Sequence, residues 1–83
     1  MKLVYFAWVR ERIGKSEEEI AVPAEVVTVS DLLAWLGRQG EGYRYALEHA
    51  NFIRVALDHE HVDHEAPLAG AREVALFPPM TGG

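Results

Sequence analysis

The sequence contains no cysteine among its 83 residues. A disulfide framework is therefore excluded, and any sulfur chemistry cannot run through a side-chain thiol. Basic residues are also few: 8 Lys and Arg stand against 13 Asp and Glu, for a formal net charge of -5. That balance, with a pI near 5.2, disfavours nucleic acid or an anionic membrane surface as partner and favours a basic patch on another protein. No stretch approaches the roughly 20 apolar residues of a membrane span. The apolar run after Met1-Lys2 is short, ends in Arg10-Glu11-Arg12 and lacks a small-residue cleavage site, so the expected location is cytoplasmic. Paired carboxylates, a Ser-His-Asp order and a glycine-rich phosphate loop are missing as well, so catalysis by side chains is not expected.

What is present fits one globular domain, 49% hydrophobic and 25% charged, with no room for a second. Residues 1–8 are rich in Val, Tyr, Phe and Trp and apolar on both faces, which predicts a central strand. Residues 9–13 predict a brief helical or turn segment closed by Gly14. Residues 17–22 predict a second strand, stopped by Pro23 and paired antiparallel with the first. The clearest helix signal is Thr28-Val29-Ser30-Asp31, where Thr28 can cap the first turn and Asp31 can reach back as in a capping box. Val29, Leu32, Leu33 and Leu36 follow at helical spacing as a core stripe, and Gly37 with Gly40 offers the stop. Residues 43–50 predict a shorter helix with Tyr43 and Leu47 on one side, broken by Asn51. A third strand at 52–57, a short fourth at Val62, a turn at Pro67-Leu68-Ala69-Gly70 and a last strand at 73–77 complete the order. Strands flanking one main helix give an α+β fold with a mixed sheet of four to five strands.

The end of the chain, Phe77-Pro78-Pro79-Met80-Thr81-Gly82-Gly83, is the stretch that points to function. Two prolines fix φ and push Phe77 into extended backbone, so a strand reaching Phe77 stops there without turning into a helix. Thr81 favours extended backbone, and Gly82 and Gly83 leave the terminal carboxylate on the thinnest segment a polypeptide offers. Terminal residues are usually disordered, and a bare diglycine would mean no more than that. The stiff Phe-Pro-Pro segment sets this end apart. Residues 1–77 read as a body and residues 78–83 as an extended tail, reaching roughly 20 Å at about 3.3 Å per residue. The chemistry is placed at Gly83.

These residues resemble the MoaD/ThiS sulfur carriers of the ubiquitin-like β-grasp superfamily, and most of all the small subunit of molybdopterin synthase. The resemblance rests on the terminal seven residues, the preceding Glu73-Val74-Ala75-Leu76, the opening Val4-Tyr5-Phe6-Ala7 and the Val9-Arg10-Glu11 after it, and it spans essentially the whole chain. It implies a carrier that is not an enzyme on its own and binds no permanent cofactor. A ubiquitin-activating-type adenylyltransferase would adenylate the Gly83 carboxylate with ATP, and a sulfur donor would displace AMP to leave a thiocarboxylate. The large synthase subunit would then hold the cyclic pterin precursor that receives the sulfur. With no thiol in the chain, sulfur sits on the main chain. Carried over residue by residue, the resemblance makes Gly83 the sulfur-bearing residue, Gly82 its steric companion and Phe77 an apolar contact for partners, a core position being the other reading of Phe77. Thr81 belongs to the slender tail and Pro78 to the same interface, and Arg10 either pairs with an acidic group on a partner or is a solvated surface arginine. The chain departs from the family at His61, where relatives tend to show an apolar residue.

Two polar clusters could point elsewhere. Asp58-His59-Glu60-His61-Val62-Asp63-His64-Glu65 is dense in metal-ligand types, with His59 and His61 expected on one face of a strand. It lacks helical histidine spacing or a remote fourth ligand, so a solvated surface hairpin is expected and no metal site is assigned. Glu17-Glu18-Glu19 reads as a charged, solvated strand start. Three other functions stay open: a thiamine-pathway sulfur carrier, a ubiquitin-like modifier joined through Gly83 to lysines, and a plain binding module indifferent to the diglycine.

Overall fold

The computed structural model describes residues 1–79. Its elements in chain order are β1 (Lys2–Tyr5), α1 (Ala7–Ile13), β2 (Glu17–Glu19), α2 (Val29–Leu36), α3 (Glu41–Ala46), a 3-10 turn (Ala50–Phe52), β3 (Arg54–Leu57), β4 (Glu60–Val62) and β5 (Glu73–Phe77). The five strands form one sheet in the order β2-β1-β5-β3-β4. β1 and β5 run parallel at its centre, and the other neighbours are antiparallel. The mixed sheet packed on one main helix is as the sequence predicts, as is the β1–β2 hairpin.

The organising helix is α2. Its capping box forms: Thr28 Oγ1 accepts the Asp31 N–H at 3.1 Å, and Asp31 Oδ2 accepts the N–H groups of Thr28 and Val27, both at 3.1 Å. Those backbone donors hold the Asp31 carboxyl below the usual carboxylate range. Two more orphan donors of the first turn are met from a distant loop, Val29 N–H by the Ala66 carbonyl and Ser30 N–H by that of His64, as a buried helix end requires. Val29, Leu32, Leu33 and Leu36 are all buried, each worth about 1.5–3 kcal/mol in area removed from water. They meet Leu3 and Tyr5 of β1, Val55 of β3, and Val74 and Leu76 of β5.

The boundaries differ from the sequence reading in instructive places. The first strand ends at Tyr5, not Trp8, because Ala7 turns the chain out of the sheet at φ 53° and Val9 then enters the core from α1. No side chain caps α1, so the sequence carries no start signal. Gly14 closes it in left-handed backbone at φ 91°, its N–H reaching the Arg10 carbonyl. Gly37 has no such role: it stays right-handed at φ -61°, and α2 ends by tightening, with Gln39 N–H on the Leu36 carbonyl. Asn51 does not break a helix but lies inside the 3-10 turn, which also takes Phe52 out of β3.

Helices α1 and α3 touch closely through Gly42, where an added Cβ would stand 2.9 Å from the Arg12 carbonyl oxygen and 3.3 Å from that of Ile13. Next to this contact the Arg12 guanidinium lies between the rings of Trp8 at 4.4 Å and Tyr45 at 4.1 Å. Gly42→Ala should therefore push the two helices apart and cost about 1–3 kcal/mol, the usual penalty for overpacking. Thermal unfolding checks it; an unchanged midpoint would mean that α1 yields without loss.

Candidate functional site

β5 is flanked on both sides by strands, ends at Phe77 and hands the chain to Pro78 and Pro79. Strand alternation sends Val74 and Leu76 into the core, and Ala75 and Phe77 to the other face. There the register aligns Val4, Ala75 and Ala56 across β1, β5 and β3. Phe77 is half-buried, stays out of the core cluster and lies with its ring centroid 6.2 Å from that of His61 on β4. An apolar strip on the helix-free face of the sheet thus leads to the point where residues 78–79 depart.

Phe6 belongs to the same end of the sheet, and sequence reasoning missed it. Its N–H donates to the Leu76 carbonyl at 3.1 Å, yet it is 48% exposed. A first strand over residues 1–8 with both faces apolar gives Phe6 no distinction from its neighbours. The only signal against that was the alternation Leu3-Tyr5, which puts Phe6 off the buried face. Arg10 is exposed on α1 and joins none of the ion pairs among the described residues. Thr81, Gly82 and Gly83 lie outside the described residues.

The Glu17-Glu18-Glu19 run is not uniformly solvated, which corrects the sequence reading. Glu17 and Glu19 are exposed partners of Lys2 and the N-terminal amine, worth little at such surfaces. Glu18 points the other way. Its Oε2 accepts the hydroxyls of Tyr5 and Tyr43, both at 2.6 Å, and its Oε1 takes the Lys15 ammonium at 3.2 Å. One carboxylate thereby ties β1, β2 and α3 together. Burial alone would raise its pKa, but the hydrogen bonds from Tyr43, Tyr5 and Lys15 outweigh it and hold the carboxyl below its ordinary value. Burial first, then the bond to Glu18, pushes the Tyr5 hydroxyl far upward. The network is a structural clamp whose donors are all matched.

The histidines of the β3–β4 hairpin go three ways. His59 is not on a strand: Asp58 and His59 form the two-residue turn, both left-handed at φ 48° and 72°, as this hairpin type demands. Asp58 Oδ1 offsets the strain by accepting the N–H groups of Arg72 at 2.9 Å and Glu73 at 3.0 Å, and these bonds hold its carboxyl low. His59 Nδ1 lies 3.6 Å from Glu73, His61 lies against Phe77, and His64 Nε2 meets the Ile53 carbonyl at 2.7 Å. Among the described residues no three His, Cys, Asp or Glu side chains are grouped to hold a metal ion, and no helix is long and apolar enough to cross a membrane.

Comparison with known proteins adds what geometry cannot. The ThiS family matches the chain over residues 3–83. The chain belongs to the ThiS family. Among relatives of this ThiS-family chain, the molybdopterin synthase sulfur carrier subunit of Escherichia coli (strain K12) is 36% identical over 83 residues, covering 100% of this chain and 99% of its own. The protein of that name in Haemophilus influenzae is 29% identical over the same span. Among solved structures, SAMP1 from Haloferax volcanii superposes with a TM-score of 0.71 at 30% identity, covering 100% of this chain and 98% of its own. A putative molybdopterin converting factor subunit 1 from Pyrococcus furiosus gives 0.66 at 26% identity, with 95% of each chain covered. The fold of this ThiS-family chain is accordingly the ubiquitin-like β-grasp.

Proposed function

We propose that this chain is the sulfur carrier subunit of molybdopterin synthase and works through Gly83. The observation that carries the reading is the full-length likeness to two relatives of that name, and the geometry suits it. A central strand ends in Phe77, and the chain leaves the sheet through two prolines beside an apolar strip that a partner can grip. The chain itself supplies no catalytic group; it is the donor half of a sulfur-transferring complex with the large subunit.

In the first step a Gly83 carboxylate oxygen attacks the α-phosphorus of ATP within an adenylyltransferase, and pyrophosphate leaves. The resulting mixed anhydride replaces a poor electrophile with one bearing a good leaving group, which divides one hard step into two easier ones. Hydrosulfide-level sulfur from a donor then adds to the carbonyl carbon and AMP departs, leaving a thiocarboxylate. Its sulfur attacks the cyclic pterin precursor in the large subunit, and water cleaves the resulting acyl–sulfur bond, which leaves the sulfur on the precursor and restores the Gly83 carboxylate. Intact mass spectrometry of the untagged protein from its own cells tests this. A fraction heavier by the difference between sulfur and oxygen, localised to Gly83, supports the reading. An unmodified mass after incubation with ATP, sulfur donor and adenylyltransferase rejects it.

Phe77 and its neighbour Pro78 serve as partner contacts in this reading, with Arg10 as a further one. Phe77→Ala should weaken binding to the large subunit by about 10- to 100-fold, the range for an aromatic hot spot, in a chain that still folds by circular dichroism. Calorimetric titration decides it, and wild-type affinity would remove Phe77 from the interface. A second reading, a ubiquitin-like modifier, draws on the likeness to a structure described as a small archaeal modifier protein, at 28% identity and a TM-score of 0.71. Lysine-linked conjugates ending in Gly83 would favour it.

A further inference from the structure

Beside Phe77, at the end of the sheet where residues 78–79 leave, lies an open groove of about 550 Å³ whose walls include Phe52, Arg54, His61, Asp63, His64 and Pro79. Two of its polar groups are already engaged. Asp63 Oδ1 accepts the Glu65 N–H at 2.9 Å, and His64 is bonded to the Ile53 carbonyl. The side chains of Arg54 and His61 have no hydrogen bond or ion pair among the described residues. Arg54 stands opposite Phe77 in the β3–β5 register, and the His61 ring lies against the Phe77 ring. Phe52, 59% exposed, adds an apolar wall.

A partner that covers Phe77 must also cover Arg54, because the two face each other across adjacent strands. A guanidinium taken out of water without a counter-charge is strongly unfavourable, whereas its planar fork suits a carboxylate in two parallel bonds. The net charge of -5 would by itself call for a basic partner. The groove calls for the opposite at this one place. We infer that the large subunit presents an acidic residue next to an apolar one, the carboxylate seated on Arg54 with His61 alongside and the apolar side chain between Phe52 and Phe77. Charge complementarity and continuity with the Phe77 strip carry this assignment, which rests on the function proposed above.

The test is calorimetric titration of the full chain with the purified large subunit at several salt concentrations. Arg54→Glu should weaken binding at least tenfold and flatten or invert the salt dependence, since like charge would replace an attractive pair. Arg54→Gln should fall between it and wild type. Arg38→Glu, on a groove between α2 and α3, makes the same change in net charge and should bind as wild type does. Unfolding midpoints show that each variant folds, and Arg54 is exposed enough for both substitutions to be tolerated. Wild-type affinity and salt slope in Arg54→Glu would overturn the inference while leaving the function intact. An equal loss in Arg38→Glu would overturn it too, by reducing the effect to net charge. If the wild-type chain does not bind the large subunit at all, the functional reading fails and takes the inference with it.

Discussion

Deleting Gly83 should abolish sulfur transfer and leave the thermal unfolding midpoint where it was. The proposed chemistry requires the terminal carbonyl to arrive at a fixed depth in the partner, and a chain one residue short loses about 3.3 Å of reach. An activated carbon misplaced by that distance cannot meet groups that must lie within about 3–3.5 Å to react. Stability should not follow, because the core among the described residues runs from Leu3 to Leu76. Single-turnover transfer to the pterin precursor, measured beside a thermal melt, separates the two effects. Transfer that persists without Gly83 would return the chain to the binding-module class. A midpoint that drops by many degrees would show that the end of the chain contributes to the fold.

Glu18→Ala should be the most damaging change on the surface of the body, at about 2–4 kcal/mol. Each bond from a neutral donor to a charged acceptor is worth roughly 1.5–3 kcal/mol, and the loss strands the buried Tyr5 hydroxyl. With 1 kcal/mol shifting the midpoint of such a domain by about 4–8 °C, the melt should move by roughly 8–30 °C. Glu18→Gln should cost about half, since the amide oxygen can still accept both hydroxyls but without the charge that strengthens them, and the Lys15 contact is lost. A cycle with Tyr5→Phe should show strong coupling, because both substitutions remove the same bond. Additive losses would mean that the clamp is not a unit.

The pH dependence follows from the same cluster. The folded Glu18 carboxyl is held below its ordinary value, so its contribution is present above the unfolded value near 4.3 and is lost as pH falls through the lower folded one. Tyr5 and Tyr43 are raised, so their contribution is full below about 10 and declines as pH climbs beyond that. Glu18→Gln should therefore flatten the acid limb of the stability profile. An acid limb identical to wild type would place its origin elsewhere, Asp31 and Asp58 being the other low carboxyls.

Local signals were the legible ones. Thr28, Asp31 and the stripe from Val29 to Leu36 specify α2 within ten residues, and Pro78 marks the end of β5 at Phe77. The tail motif named the family for the same reason, since its residues are contiguous. What escaped the sequence depends on partners far along the chain. Glu18 looks like its neighbours until Tyr43 is brought beside it, 25 residues on. Ala7 carries no mark of its positive φ, and without that turn only the Leu3-Tyr5 alternation separates Phe6 from a core position. Arg54 and His61 acquire meaning only when the sheet sets them beside Phe77.

The parallel pairing of β1 with β5 joins residues 2–5 to residues 73–76, with nearly the entire chain between them. During synthesis the centre of the sheet therefore cannot close until Leu76 has left the ribosome, and such distant pairing is slow to form. A chain terminated early lacks its middle strand and remains open to proteases. The topology acts as a length check only as far as Phe77: a chain cut short before β5 is left open, whereas the loss of Gly83 alone goes undetected by the fold.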